Sequence, residues 1–349
     1  MRTSRRRLVL LVNLGTPAEA TAPAVHAFLE EFLSDPSVVD YPGWLWQPVL
    51  SRLILRSRPA HVAAMYRSIA TRQGMPLDVD TRRLAATLQA AAGISARVRF
   101  AYRYGSRSLA AEIARARNEG VDDVVVVPLF PQRTSASSET IVEQALRAAA
   151  ELGFEAAVRV ERIAPADPGY VAALVARVRE AFQTMASKPQ HLVVSFHGIP
   201  VRYDWREKGR YQADCAATVS ALLAALDWPA SNATLSYQSQ FGPEPWIGPN
   251  TASVLARLPA KGARRVAVVM PGFLTEGLET LEEIGIRGRD TFLGAGGEQF
   301  VAVPAVGTHP ALVESLCAII DQNETAREEP TSAGGARGGP NRVTVRIGQ

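Results

Sequence analysis

Short runs of β-branched and other apolar residues alternate with Ala-, Leu- and Arg-rich stretches along most of the 349 residues. The apolar runs have the length of buried strands, and the stretches between them have the composition of amphipathic helices. This alternation is typical of βαβ units, in which consecutive strands run parallel and helices cover the sheet. The eight predicted strands are Leu8–Leu14, Ala96–Tyr102, Asp123–Leu129, Ala157–Ile163, His191–Phe196, Thr234–Gln238, Arg265–Met270 and Gln299–Val303.

Eight parallel strands can close into one barrel or form two open sheets, and their lengths do not decide between these folds. The strand ends, however, repeat across the two halves of the chain. Segments 127–131 and 269–273 both leave a strand through a Pro-containing loop, and segments 13–17 and 195–200 both turn with a Gly and a Pro. This repetition favours two related α/β domains whose sheet edges face each other across a cleft.

Composition excludes several classes of protein. The net charge is only +4, and the basic residues form no stripe of the kind that binds nucleic acid, so no nucleic-acid partner is expected. Two cysteines, Cys215 and Cys317, can build neither a disulfide framework nor a cysteine cluster within one chain, which favours a reducing cytoplasm. No apolar run approaches the ~20 residues of a transmembrane helix.

A histidine follows the predicted strand His191–Phe196. The run Leu192–Val194 has the character of a buried strand, it ends at Ser195 and Phe196, and His197 precedes a Gly and a Pro. In open α/β sheets, ligands bind outside the carboxyl ends of the strands. His197 is therefore either a functional imidazole at that edge or a hydrogen-bonded histidine of the core.

Three glutamates form the second candidate. A helix is predicted over Thr275–Ile284, and Glu276, Glu279 and Glu283 fall on one face of it at spacings of three and four residues. Such a line of carboxylates near a helix N-terminus can hold a cation or relay protons. The other interpretation is a solvated acidic face.

Aromatic and cationic residues occur together at two further places. Segment 41–55 is aromatic and apolar, and Arg52, Arg56 and Arg58 are interleaved with it and with the residues just after it. This fits a packed helix, a lip over a flat apolar ligand that carries carboxylates, or contact with a membrane surface. Arg103 lies between Tyr102 and Tyr104 at the end of a predicted strand. Arginine there suits a carboxylate ligand or a structural ion pair.

Several of these segments together resemble the ferrochelatase family, whose members insert ferrous iron into a porphyrin. The resemblance runs from about Leu8 to Leu316, and it is specific because the histidine and glutamate motifs occur together and in this order. The matching segments are Val12–Pro17, Tyr102–Tyr104, Phe130–Gln132, Ser195–Pro200, Tyr237–Ser239, Pro245–Trp246, Pro271–Phe273 and Leu278–Ile284.

The resemblance implies a chelatase-like α/β fold of two Rossmann-like domains, each a parallel sheet flanked by helices, with the active-site cleft between them. The first domain is expected over residues 1–152, joined by a returning helix over 309–322. The second domain is expected over 153–308, and the residues from 323 to 349 are expected to form a disordered tail.

The resemblance also implies roles for individual residues. His197 and Glu279 correspond to the catalytic residues of the family, which are assigned to the metal site, with Glu279 expected on the sheet edge that faces His197. Glu276 and Glu283 correspond to a path for protons or metal behind that site. The residues expected to bind the substrate are Tyr66, Arg103, Tyr104 and Trp246.

The implied reaction joins Fe²⁺ to protoporphyrin IX, with no organic cofactor. Leu14 stands where the branch that uses coproporphyrin tends to carry Tyr, which favours protoporphyrin. Some members hold an iron–sulfur cluster on four cysteines, and two cysteines cannot do so, hence no cluster is expected.

The resemblance implies a cytoplasmic monomer or homodimer. It does not decide whether residues 44–55 make peripheral contact with the inner face of a membrane. The alternatives are a tetrapyrrole- or haem-binding protein without turnover, or a chelatase for another metal or macrocycle.

The chain departs from the family pattern at named positions. Arg133 replaces a common aromatic residue, and segment 204–211 is about one residue longer than usual. Met75 stands where members usually have a Ser that faces a propionate.

Overall fold

The computed structural model describes residues 6–91 and 96–328, except for the side chains of 322–328. The first half of the chain forms a four-stranded sheet in the order β2-β1-β3-β4. All of its neighbouring strands pair in parallel. The strands are β1 (Arg7–Asn13), β2 (Arg97–Tyr102), β3 (Asp123–Pro128) and β4 (Val158–Val160).

The second half repeats this arrangement with the order β6-β5-β7-β8, again with parallel pairing throughout. Its strands are β5 (His191–His197), β6 (Ala233–Gln238), β7 (Arg265–Val269) and β8 (Gln299–Ala302). The eight predicted strands are confirmed. They form two open sheets and not a closed barrel. The predicted two-domain α/β fold is correct.

Helices connect the strands and cover both sheets. The α-helices are α1 (Ala22–Leu33), α2 (Gly43–Val49), α3 (Leu55–Ile69), α4 (Pro76–Ala90), α5 (Leu109–Asn118), α6 (Thr140–Glu151), α7 (Pro168–Gln183), α8 (Val201–Arg206), α9 (Arg210–Leu226), α10 (Thr251–Arg257), α11 (Arg289–Gly294) and α12 (Pro310–Glu328). Among residues 6–91 and 96–328, π-helices occur at Leu50–Ile54, Ser135–Glu139 and Leu278–Gly288. No helix in the part of the chain that the structure describes is long and apolar enough to span a membrane.

The two sheets share one apolar core. A single cluster of buried side chains includes Val9 of β1, Val194 of β5, Leu174 of α7 and Leu316 of α12. Each fully buried aliphatic side chain of this kind contributes roughly 1.5–3 kcal/mol to stability. The relative position of the domains is therefore held by continuous packing.

The observed elements correct the predicted boundaries. Strand β4 pairs with β3 in the first sheet, so a division after residue 152 separates a strand from its own sheet. The last helix continues to Glu328, beyond the predicted end at 322, and the rest of the predicted tail, 329–349, lies outside the described residues. Helix α12 packs against α4 and, more extensively, against α7, where Ser315 Oγ donates to Asp167 Oδ1 at 2.6 Å.

Two departures from the family pattern lie where the two domains contact each other. The Arg133 guanidinium donates to both carboxylate oxygens of Asp214, at 2.9 and 3.1 Å. Within the longer segment 204–211, Glu207 Oε1 accepts hydrogen bonds from Thr134 Oγ1 and from the backbone N–H of Ser135. Charged contacts therefore join the first domain to the start of α9 in this chain.

Candidate active site

His197 is the last residue of β5 and lies at the carboxyl edge of the second sheet. The strand ahead of it is fully buried from Leu192 to Phe196, as its apolar sequence predicts. His197 is opposite Gln238 of β6, whereas pairing with β7 ends three residues earlier, at Val194. The imidazole therefore leaves the sheet where a parallel sheet binds ligands, as predicted.

The hydrogen bond of the imidazole defines its tautomer. Nδ1 lies 2.6 Å from the carbonyl oxygen of Gly198. A carbonyl oxygen accepts and cannot donate, so Nδ1 carries the proton. In the neutral imidazole, Nε2 then holds a free lone pair that can take a proton or bind a metal ion.

Glu279 lies in the first turn of the π-helix that follows β7. Burial raises the pKa of its carboxyl group, the neighbouring His197 lowers it, and the charge of Glu283 raises it further. Apart from its own backbone N–H, no described group donates a hydrogen bond to this carboxylate. Glu279 thus combines closeness to His197 with oxygen atoms that are free to bind a ligand.

This arrangement corrects two expectations. Glu279 does not lie on a facing sheet edge, because β7 and β5 are neighbours in one sheet and both residues belong to the second domain. The helix begins at Leu278 and not at Thr275, because Gly277 is extended and its N–H donates to Thr280 Oγ1. Glu276 therefore precedes the helix, and the three glutamates do not form a solvated face.

The other two predicted acidic residues have protein partners. Glu276 accepts hydrogen bonds from Thr280 Oγ1 and from the backbone N–H of Ala305, and burial raises its pKa. Glu283 accepts from Gln238 Nε2 and from both the N–H and the hydroxyl of Ser239. Glu283 is close enough to act on the pKa of Glu279, whereas Glu276 lines a separate cavity of about 350 Å³.

A cavity of about 540 Å³ lies between the domains, and His197 and Glu279 are in its wall. Cavities of roughly 300–1,000 Å³ with mostly apolar walls are typical small-molecule sites. Most of the lining of this cavity is apolar or aromatic, and much of it comes from the first domain, including Leu14, Phe28, Phe32, Val39, Ile54 and Ile69. The second domain contributes the imidazole and the carboxylate, and the first contributes an apolar wall.

Two of the predicted substrate-binding residues, Tyr66 and Trp246, line this cavity. Burial and the nearby Glu279 both raise the pKa of Tyr66, and its hydroxyl is hydrogen-bonded to Thr16. The ring of Trp246 lies 5.2 Å from that of Phe241, and its buried Nε1 has no hydrogen-bond partner among the described residues.

Arg103 and Tyr104 lie elsewhere, and as far as the structure describes the chain neither lines the cavity. The Arg103 guanidinium and the Tyr104 hydroxyl both donate to Asp35 Oδ2, and Arg103 Nε also donates to Thr140. The other Asp35 oxygen accepts from the N–H of Ser37 at 2.7 Å. The predicted substrate contact is therefore replaced by a structural ion pair, the alternative considered for Arg103.

Sequence reasoning missed two arginines as candidate site residues, although both line the cavity. Arg58 is exposed and lies 5.3 Å from the centre of the Phe241 ring, and no carboxylate within the described residues pairs with it. Arg202 donates to Glu244 Oε2 at 2.7 Å and is already paired. The signal for Arg58 was its place among the interleaved arginines of the aromatic segment.

Both domains also expose large apolar side chains on elements that line the cavity. In the segment predicted to form a lip, Trp44 is 79% exposed and Leu53 is 66% exposed. In α8 of the second domain, Trp205 is 81% exposed. Helix α8 contacts the lip, because the Arg202 guanidinium lies 4.9 Å from the centre of the Tyr41 ring. The exposed Trp205, which sequence reasoning did not single out, therefore lies beside the lip.

No group of three or more His, Cys, Asp or Glu side chains in the described parts of the chain is arranged to hold a metal ion. The cavity wall contains the His197 imidazole, the Glu279 carboxylate and the Arg58 guanidinium, together with Glu244 and Arg202, which pair with each other.

Comparison with known proteins identifies the family of the chain. The family model described as Ferrochelatase matches residues 7–324. Ferrochelatase of Bordetella pertussis is 40% identical over 317 residues, which cover 90% of this chain and 87% of that protein. Ferrochelatase of Edwardsiella ictaluri is 42% identical over 298 residues, which cover 85% of this chain and 92% of that protein.

A comparison of structures supports the fold alone. The sirohydrochlorin chelatase SirB of Bacillus subtilis, solved in complex with cobalt, is similar with a TM-score of 0.55 at 12% sequence identity. The match covers 93% of this chain and 98% of that one. The family model and the relatives that match nearly the whole sequence show that the chain belongs to the ferrochelatase family.

Proposed function

We propose that this protein inserts Fe²⁺ into protoporphyrin IX, which yields protohaem and two protons in the last step of haem biosynthesis. The observation that carries the proposal is one imidazole and one carboxylate together in the wall of an apolar cavity of about 540 Å³. Membership of the ferrochelatase family supports the same reaction.

Insertion requires that two pyrrole N–H protons leave while the iron exchanges its water ligands for ring nitrogens. His197 is suited to the first task, because its Nδ1–H donates to Gly198 O and its Nε2 makes no hydrogen bond to any described residue. A positioned base of this kind contributes roughly 10²–10⁴-fold to a rate. The same lone pair can hold iron while water ligands are lost.

Glu279 supplies the complementary charge. Its raised pKa means that the carboxyl group takes up a proton more readily than an exposed glutamate, which suits the acceptor of the second proton. When it is ionised, its negative charge attracts the incoming cation. Glu283, which acts on the pKa of Glu279, extends this path away from the cavity, whereas Glu276 lines a separate cavity.

The cavity walls have a mechanical role in this proposal. The pyrrole nitrogens of a flat macrocycle do not point at an ion approaching its face, so the ring must bend. Contacts with the apolar wall, including Tyr66 and Trp246, supply binding energy away from the reacting nitrogens that can favour a bent ring.

Charge at the rim bears on the choice of porphyrin. Arg58 is the cavity arginine without a carboxylate partner in the described residues, so it is suited to a propionate of the substrate. Deeper in the cavity, Leu14 and other apolar side chains would meet the vinyl edge of protoporphyrin IX. Coproporphyrin carries carboxylates where protoporphyrin has vinyl groups, and burying them against this wall is unfavourable.

The proposed reaction is tested by comparing metals and macrocycles in one anaerobic turnover assay. We expect Fe²⁺ with protoporphyrin IX to turn over, and we expect coproporphyrin III to be at least tenfold poorer in kcat/KM. A haem-binding titration is run beside it. Tight haem binding without turnover would favour a tetrapyrrole-binding protein, and faster insertion of Co²⁺ or Ni²⁺ into another macrocycle would favour a different chelatase.

We further propose that the exposed rim contacts a membrane surface peripherally. Trp44 and Leu53 are exposed in the segment whose Trp46 and Ile54 line the cavity, and Trp205 is exposed in α8. Arg52 and Arg56 are exposed in the same segment as Trp44. Exposed aromatic side chains beside basic ones are typical of proteins that lie at an anionic lipid interface. A poorly soluble macrocycle could then pass between the bilayer and the cavity.

We expect the double substitution W44A/W205A to weaken binding to vesicles that contain anionic lipid at least tenfold in a sedimentation assay. Added salt should weaken binding of the unmodified protein, because part of the attraction is electrostatic. The control is I286A, which removes an exposed apolar side chain from the π-helix and should not change binding. Equal vesicle binding by all three proteins would contradict the proposed membrane contact.

A further inference from the structure

The backbone carbonyl of His197 has an unusual partner. The N–H of Gly198 donates to Gln238 O of β6 at 2.7 Å, so the preceding carbonyl points to the other side of the strand. On that side, pairing with β7 has already ended at Val194. The carbonyl oxygen instead accepts a hydrogen bond from the Tyr211 hydroxyl at 2.7 Å.

Tyr211 is itself held firmly. Its side chain is buried at the start of α9, and its ring centre lies 6.5 Å from that of Tyr237. Three and seven residues further along the same helix, Asp214 pairs with Arg133, and Thr218 accepts from Gln132. These contacts join α9 to the first domain, so the position of the hydroxyl depends on both domains.

We propose that Tyr211 is a positioning residue for His197. Its hydroxyl orients the peptide between His197 and Gly198, and the next carbonyl along the chain, Gly198 O, binds Nδ1 of the imidazole. Tyr211 thereby aims Nε2 into the cavity. The inference rests on the proposed function, since the aim of the imidazole affects turnover only if the imidazole takes part in it.

The competing explanation is that Tyr211 serves only as cavity wall, because its side chain also lines the cavity. Y211F separates the two roles, since phenylalanine keeps the ring and removes the hydroxyl. Y237F is the matched control. The Tyr237 hydroxyl is buried without a hydrogen-bond partner among the described residues, so its removal breaks no bond to His197.

Steady-state kinetics with Fe²⁺ and protoporphyrin IX provide the first test. We expect Y211F to lower kcat about tenfold, the upper end of what one hydrogen bond contributes, with KM for the porphyrin unchanged within twofold. Y237F should change neither constant more than twofold. A Y211F enzyme with normal kcat, or one whose whole defect lies in KM, would overturn the proposal.

The second test does not need turnover. In protein with ¹⁵N-labelled histidine, the signals of His197 are identified by their loss in H197A. We expect Y211F to shift or broaden these signals and Y237F to leave them unchanged. If the unmodified protein inserts no metal, the proposed function fails, and the nitrogen spectra alone still decide the role of Tyr211. Identical His197 signals in Y211F and in the unmodified protein would overturn it.

Discussion

H197A is expected to lose nearly all metal-insertion activity, at least 100-fold in kcat, while it still binds protoporphyrin IX. The variant lacks the lone pair on Nε2 that is proposed to accept a pyrrole proton and to hold iron. Porphyrin binding should persist, because the apolar cavity walls are unchanged. The measurements are anaerobic turnover with Fe²⁺ and a fluorescence titration with porphyrin.

A second histidine on the same strand provides the control. His191 begins β5, far from the cavity, and its Nε2 is hydrogen-bonded to Thr234 at 2.8 Å. H191A should therefore turn over within about threefold of the unmodified protein. Full turnover by H197A would show that metal insertion does not need the imidazole. An equal loss of turnover in H197A and H191A would indicate damage to the strand.

E279Q should also lose insertion activity by at least 100-fold and should fold normally. The substitution keeps the shape of the side chain and removes both the negative charge and the ability to take up a proton. E282Q is the control in the same helix, because the buried Glu282 carboxylate pairs with Arg287 and does not line the cavity within the described residues. An active E279Q enzyme would show that the carboxylate beside His197 is not needed.

The pH dependence of stability distinguishes a chemical defect in E279Q from a folding defect. Burial raises the pKa of Glu279 in the folded state, so the folded protein binds this proton more tightly than the unfolded chain. The stabilisation from that proton is present at low pH and is lost as the pH rises through the folded-state pKa. The melting temperature of E279Q relative to the unmodified protein should therefore be higher at pH 8 than at pH 5.

Much of the fold could be predicted from the sequence because burial leaves a clear pattern in parallel strands. Leu8–Val12 and Val124–Val127 are apolar throughout and almost fully buried, and such runs cannot be anything but interior. The strand at Val158–Val160 was predicted, but its pairing with β3 was not, so the predicted domain boundary fell on the wrong side of it. The choice between a barrel and two sheets depends on strand order, which apolar runs do not encode.

The candidate site was predictable in its chemistry and less so in its geometry. The strand that ends at His197 and the motif around Glu279 could be recognised, but a helical spacing of 3.6 residues does not describe a π-helix. Arg103 finds its partner 68 residues away in Asp35, a contact between distant segments that no local pattern contains. Trp205 becomes notable only when α8 is placed beside the lip.

The central claim is that the imidazole and the carboxylate in this cavity remove two pyrrole protons as iron enters the ring. A single anaerobic turnover of the porphyrin-loaded protein, mixed with Fe²⁺ in weakly buffered solution with a pH indicator, measures both events together. The expected result is loss of the free-porphyrin absorption, appearance of haem and release of two protons for each haem formed. A bound porphyrin whose spectrum persists after the addition of Fe²⁺, with no release of protons, would contradict it.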